Sequence, residues 1–295
     1  MPAPFVTELT EISSGYVLAE APVAASPSGV FFADVRAGGV LRADDDGTTR
    51  TVIEHRRGIG GMAAHAEGGF VVSGRNVAHK ALDQTTTIIA DRNEAAGRFI
   101  YNDLTTDRDG RVYVGSFATN APFDRDDQGR TGALNVIDLD GRLRVLDEDV
   151  IAANGMSCSP DGRALYFVET GRRVLWRYEI VAPGRLGRKT AHHDFGGDSP
   201  DGMAVAEDGS LWVAMAGAGC VAVLDAAGTR LGEVVMPGPS VTSLCFGGTD
   251  RRTVYICTGG HGEGEATGAV YRARAAVPGT AMTPARIPLD SGGRP

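Results

Sequence analysis

The chain has 295 residues, 42% of them hydrophobic and 22% charged, which is enough apolar material for a large core and excludes a disordered chain. Its net charge of −8, with no basic block, argues against nucleic acid or an anionic membrane surface as a partner. Four cysteines without CxxC spacing speak against a disulfide scaffold and for a reducing, cytoplasmic compartment.

Glycine is the outlier. The 41 glycines are about twice the ~7% average and follow no Gly-X-Y period, so they signal tight turns rather than collagen. The N-terminus MPAPFVTELTE has no basic region and carries Glu8 and Glu11 early, unlike a signal peptide. No uncharged run reaches the ~18 residues of a membrane span; the window 209–224 ends at Asp225.

Taken in chain order, one short strand recurs six times: VFFAD at Val30, FVVSG at Phe70, VYVGS at Val112, LYFVE at Leu165, LWVAM at Leu211 and VYICT at Val254. The gaps are 40, 42, 53, 46 and 43 residues. A turn precedes each copy (SPSG, AEGG, DRDG, SPDG, AEDG and GGTDRRT), with glycine supplying the positive φ that a hairpin requires. Another apolar segment lies before each copy and a further strand follows most of them, KALDQTT in the second unit being the weakest. Helix signals are nearly absent, DRNEAAGRF offering one short turn at most.

Three or four strands per unit, six times over, predict an all-β, six-bladed β-propeller spanning 1–295 as a single domain. A sandwich or barrel shares the short strands but not the near-equal repeat. Residues before Val30 are free to pair into the last blade, which would protect the sheet edges.

In such a fold the innermost strands line a central channel. Counting back ten residues from each marker gives Glu20, Gly60, Asn102 and Asp201; the longer turns place Asn154 and Thr242 or Ser243 at the same height. Every polar member of this ring offers oxygen. Carboxylates and amides converging on an axis require a cation, and oxygen-only ligands suit Ca²⁺ or Mg²⁺. Each of Asn-Gly, Asn-Asp and Asp-Gly is singly a turn dipeptide; their shared register, and Glu20, which is no turn former, point to a metal site in the channel.

Strand direction puts the loops 74–80, 116–132, 169–173, 215–219 and 258–268 on the metal's face. Phe117, Phe123, Asn120, His79 and His261 are then candidate walls of a cleft for a small-molecule substrate. Other features carry blander readings. His192 and His193 fit a solvated outer connection, and His65 a satisfied core histidine. The acidic loop 124–129 lacks a closing Glu for calcium, GIGG is followed by no helix, and no GxSxG is present.

The segments LAEAPVAASPSGVFFADV, YNDLTTDRDGRVYVGSF, ANGMSCSPDGRALYFVET and SPDGMAVAEDGSLWVAMAGAGCVAVLD resemble the gluconolactonase, regucalcin (senescence marker protein) and luciferin-regenerating enzyme family over roughly residues 18–273. The resemblance implies Glu20, Asn154 and Asp201 as metal ligands and Asn102 as a substrate or metal contact. It implies one divalent cation, Ca²⁺ first, with Mg²⁺, Mn²⁺ or Zn²⁺ as alternatives. Sugar-lactonase relatives carry an Arg where this chain has Ile100 and an acidic residue near Thr119 and Asn120, so Ile100, Tyr101, Phe117 and Phe123 suggest a less polar pocket.

The expected activity is hydrolysis of a lactone or related ester, with the metal polarising the carbonyl, water attacking, Asp201 as catalytic base and His261 as a candidate acid. A phosphotriesterase or fluorophosphatase, which uses a similar ring, and a non-catalytic calcium-binding scaffold are the alternatives.

Overall fold

The computed structural model describes residues 5–96, 98–119, 131–262 and 264–289. Among them, 24 strands form six four-stranded antiparallel sheets. Blade 1 is β2 (Ala19–Ala24), β3 (Val30–Asp34), β4 (Val40–Ala43) and β5 (Thr49–Ile53). Blade 2 is β6 (Met62–Ala64), β7 (Phe70–Val72), β8 (Val77–Lys80) and β9 (Thr86–Ala90). Blade 3 is β10 (Ile100–Thr106), β11 (Val112–Phe117), β12 (Gly132–Ile137) and β13 (Leu143–Val150).

Blade 4 comprises β14 (Ala153–Cys158), β15 (Ala164–Glu169), β16 (Val174–Ala182) and β17 (Arg185–Asp194); blade 5 comprises β18 (Ser199–Val205), β19 (Leu211–Ala216), β20 (Cys220–Leu224) and β21 (Arg230–Val235). Blade 6 holds β22 (Val241–Gly247), β23 (Thr253–Thr258) and β24 (Gly268–Ala275), and its outer edge is β1 (Val6–Tyr16), from the other end of the chain. Early and late segments thus close one sheet. One short 3-10 turn, Glu94–Ala96, sits between blades 2 and 3.

The recurring marker is the second strand of every blade. It is buried on both faces, as VYVGSF is along its whole length, because neighbouring blades cover both sides of it. Its approach turn needs glycine where the sequence puts it: Gly29 has φ +88°, and a Cβ there would lie 2.8 Å from the Ala43 carbonyl.

The core is divided into six clusters, one in each seam between adjacent blades. Trp212 of blade 5, for example, packs with Val254 and Tyr271 of blade 6. The fourth strands are half exposed, as in β17 with His192 and His193. His193 Nδ1 lies 2.8 Å from the Gly228 carbonyl. His65 is a buried, bonded histidine: its Nε2 meets the Ile287 carbonyl at 2.9 Å.

After β24 the chain crosses the lower end of the channel. The Thr280 N–H bonds Val205 O in blade 5, Thr106 Oγ1 bonds Thr283 O from blade 3, and the Ala285 N–H bonds Ala64 O in blade 2. Above this strap lies a cavity of about 400 Å³ whose walls include Met62, Met156, Met203, Leu244 and Met282.

Candidate functional site

The innermost strands β2, β6, β10, β14, β18 and β22 lie against one another around the axis. In five of them the ladder breaks at the same height: the register shifts between Glu20 and Val23, Tyr101 and Leu104, Ala153 and Met156, Pro200 and Met203, and Val241 and Ser243. A bulge re-aims the residues within it. Those residues include Asn102, Asn154, Asp201 and Thr242, and Glu20 is the paired residue at the edge of its strand's bulge; these are the positions reached by counting back along the sequence.

The blade seams close so tightly here that side chains are excluded at the next position. A Cβ on Gly155 would lie 2.6 Å from Asp201 O, and one on Gly61 would lie 2.7 Å from Asn102 O. A Cβ on Gly202 would overlap Ser243 Oγ.

Asn102 and Asn154 meet directly. Asn102 Nδ2 donates to Asn154 Oδ1 at 2.6 Å and to Ala153 O at 2.8 Å. Asn154 Nδ2 donates to Thr170 Oγ1 at 2.8 Å, which fixes the amide with Oδ1 on the Asn102 side; Thr170 in turn donates to Pro200 O at 2.6 Å. Glu20 Oε2 accepts the Ala21 N–H at 2.8 Å, and Thr242 Oγ1 donates to Ala19 O at 2.6 Å.

One residue of the ring is not reached by counting back. Asp103 follows Asn102 at the height where the other blades carry Ala21, Gly61, Gly155, Gly202 and Ser243, and it lines the top of the lower cavity. A third carboxylate therefore joins Glu20 and Asp201.

The electrostatics report the crowding. Burial holds the Glu20 carboxyl well above the ordinary carboxylate range, and Asp201 and Asp103 push it further, against the Ala21 N–H. Burial likewise lifts Asp201, with Asp103 adding to it. Asp103 itself is raised by burial to about 7, with the Leu104 N–H opposing. None of the three is ion-paired among the described residues. Also among the described residues, no three His, Cys, Asp or Glu side chains close on one point with metal-ligand spacing; the ring's donors are mixed carboxylate and amide.

The outer candidates separate. Ile100 pairs with Phe117 across β10 and β11. Phe117, only 8% exposed, is packed in the core seam between blades 3 and 4 with Ile100 against it, so it is chiefly a core residue and not the open cleft wall expected. His79 is a correction: the loop ends at Asn76 and β8 begins at Val77, so His79 points its Nε2 at the Gly68 carbonyl, at the lower turn and away from the ring. His261 is exposed on the β23–β24 loop, its backbone N–H bonded to Thr267 Oγ1 at 2.9 Å and its ring beside Gly238. Asn120, Phe123 and the acidic loop 124–129 lie outside the described residues. Among the described residues no helix is long and apolar enough to cross a membrane.

Residues 18–260 match the pattern of the SMP-30/gluconolactonase/LRE-like region. A 6-deoxy-6-sulfogluconolactonase of Pseudomonas putida is 30% identical over 278 residues, covering 90% of this chain and 94% of that protein. A pentonolactonase of Haloferax volcanii is 34% identical over 209 residues, covering 64% and 68%. The solved luciferin-regenerating enzyme superposes with a TM-score of 0.85 at 20% identity, covering 95% of this chain and 99% of its own. The chain belongs to the SMP-30/gluconolactonase/LRE-like family.

Proposed function

We propose that this protein is a divalent-cation-dependent hydrolase that opens the lactone of a sugar acid, or a related ester, at the channel ring. The observation that carries the reading is the charge balance there: three crowded carboxylates beside two amides, with no cationic side chain paired to them among the described residues. The lactonase names of the two relatives support the substrate class.

The donor set fits a hard cation, because buried carboxylates that repel one another are relieved by positive charge. Glu20, Asn154 and Asp201 would hold it, Ca²⁺ foremost, with Mg²⁺, Mn²⁺ and Zn²⁺ as alternatives. When bound, such an ion supplies Lewis acidity toward a carbonyl oxygen. Asn102, its amide fixed by Ala153 and Asn154, would orient the substrate or the attacking water.

Asp201 would take a proton as the water oxygen bonds the carbonyl carbon. The ring C–O bond then breaks, the leaving oxygen is protonated, and a hydroxy acid departs. Asp103 is a positioning residue in this account: its charge beside Asp201 raises that carboxylate's basicity.

The test is a pH-stat assay of gluconolactone and pentonolactones with cation-depleted protein resupplied with each ion in turn, and a phosphotriester alongside. Asp201→Asn is expected to lower kcat by at least ~10²-fold with the circular dichroism unchanged. Lactones untouched with every cation would end this reading. Turnover of the phosphotriester alone would move it to the fluorophosphatase type, and thermal stabilisation by cation without any turnover would favour the scaffold.

A further inference from the structure

The ring end of the channel carries positive charge that the chemistry above does not use. Arg36 lies in the turn between β3 and β4, Arg75 in the turn between β7 and β8, and Arg56 and Arg57 on the segment joining β5 to β6. These connections share one surface. The Gly39 N–H donates to Arg56 O at 2.8 Å, and a Cβ on Gly38 would lie 2.9 Å from Arg57 Cγ. Arg56 Nη2 donates to Ser73 O, Asn76 O and Asn76 Oδ1 at 3.0, 2.8 and 2.9 Å.

No carboxylate pairs with any of the four among the described residues. The acids nearby point elsewhere: Asp34 accepts the N–H groups of Val17, Arg36 and Ala37, and the exposed Glu54 lies against the His55 ring. Arg56 Nε is buried without a hydrogen-bond partner. In a chain of net charge −8, this is a local reversal of sign.

The patch is joined to the ring through blade 2, which brings glycine instead of a ligand. Gly60 stands at ring height beside Asn102, between Ile59 and Gly61, and Gly74 packs against Gly58 just outside it. Ser73, whose carbonyl receives Arg56, also accepts the Gly61 N–H on its hydroxyl at 2.8 Å. The Arg56 guanidinium therefore sits in the turn that joins the second and third strands, outward from the innermost one. A substrate whose carbonyl lies at the ring and whose chain passes over Gly60 ends among these arginines.

We infer that this rim binds a terminal oxyanion of the substrate (carboxylate, sulfonate or phosphate) remote from the scissile carbonyl, so that the preferred lactones carry a charged end. The inference rests on the lactonase reading of the ring. Arg57 and Arg75 are exposed, and their planar guanidinium forks match an oxyanion in two-point contact. Arg56 secures the 73–76 turn beneath them and adds its charge.

The experiment compares kcat/KM for a six-carbon aldonolactone and for the same lactone bearing a C6 sulfonate or phosphate. The proteins are wild type, Arg57→Gln/Arg75→Gln, and a control, Arg185→Gln, on the exposed start of β17. The preference for the charged lactone is expected to fall about tenfold in the double variant, the effect of two exposed charge contacts. It should stay put in the control and weaken with added salt in wild type. A preference unmoved by the double substitution overturns the inference while the lactonase reading stands. If wild type opens neither lactone, that reading fails, and calorimetry decides the subsite with the C6-charged and C6-uncharged open-chain acids. Tighter binding of the charged acid, lost in the double variant, supports it; equal binding overturns it.

Discussion

Asn102 Nδ2 lies 2.6 Å from Asn154 Oδ1, a hydrogen bond between the innermost strands of blades 3 and 4. It makes the two ring amides one unit, and the unit continues outward through Thr170 to Pro200 of blade 5. Three blades are thereby tied at the height of the carboxylates, and the orientation of Asn154 depends on a hydroxyl that touches neither Glu20 nor Asp201.

That dependence is testable at Thr170. Thr170→Val removes the acceptor for Asn154 Nδ2 and the donor to Pro200 O, and groups left unbonded cost about 1–3 kcal/mol each. A residue that orients a metal-binding side chain typically changes metal affinity 10–100-fold. Thr170→Val should therefore weaken calcium binding, measured by calorimetry, by about that factor, and Thr170→Ser should restore it. Equal affinity in the valine variant would show that the relay is idle.

Gly60 gives a steric test. A Cβ there would overlap Asn102 Oδ1, so Gly60→Ala must move the amide that bridges to Asn154. Gly197, by contrast, has nothing within 4 Å of where a Cβ would stand and no left-handed φ. Gly60→Ala should lower kcat/KM for the best lactone by at least about tenfold, while Gly197→Ala leaves it within about a factor of two. Similar rates for both variants would mean that Asn102 has no part in turnover.

The crowded carboxylates set a pH dependence. Glu20, Asp103 and Asp201 are all raised, Asp103 to about 7, so the folded, cation-free protein binds more protons than the unfolded chain. Stability from these groups is full below the unfolded carboxylate value of ~4 and is lost as pH rises through their folded values. The turn aspartates Asp46, Asp161, Asp225 and Asp250 are shifted downward and act only at acid pH. His65 and His192, which burial keeps neutral, add stability that is complete above about pH 6.5 and lost as pH falls through their lowered folded values. Chelated protein should therefore lose Tm as pH rises past about 6.5 and through about 7, the value of Asp103, and saturating Ca²⁺ should abolish the loss. A flat profile without cation would contradict the crowding.

Much of this architecture is written in local pattern. VFFAD ends as β3 residue for residue, and the glycine of SPSG takes the positive φ that the turn demands. The ring was legible because repeats impose a common register. Asp103 was not, because counting one residue per blade ignores the bulge, which leaves two consecutive positions facing inward; comparing it with Gly61, Gly155 and Gly202 would have exposed it.

His79 was misplaced because VAHK holds no turn residue, so the loop had already ended at Asn76. Phe117 looked like a cleft wall because a loop was expected from residue 116, but β11 runs on to Phe117 and burial in the seam wins for a ring that size. The strap at 278–287 has neither period nor strand pattern. Its partners are groups in blades 2, 3, 5 and 6, most of them backbone, and such long-range pairing leaves no trace in nearby sequence.

The strap supplies the last prediction. Ile287 is 1% exposed and belongs, with Ala285, to the core seam between blades 2 and 3; its carbonyl also meets His65 Nε2. Truncating a buried isoleucine costs about 2–5 kcal/mol where the site cannot collapse. Here both neighbouring blades are held by their own ladders, so the cavity should persist. Ile287→Ala should lower the unfolding free energy by that amount, read as a lower urea midpoint with an unchanged m-value, whereas Met282→Ala, at an exposed position of the same strap, should change the free energy by less than about 0.5 kcal/mol. Equal, small shifts for both variants would mean that the segment merely rests against the lower face and contributes nothing to the core.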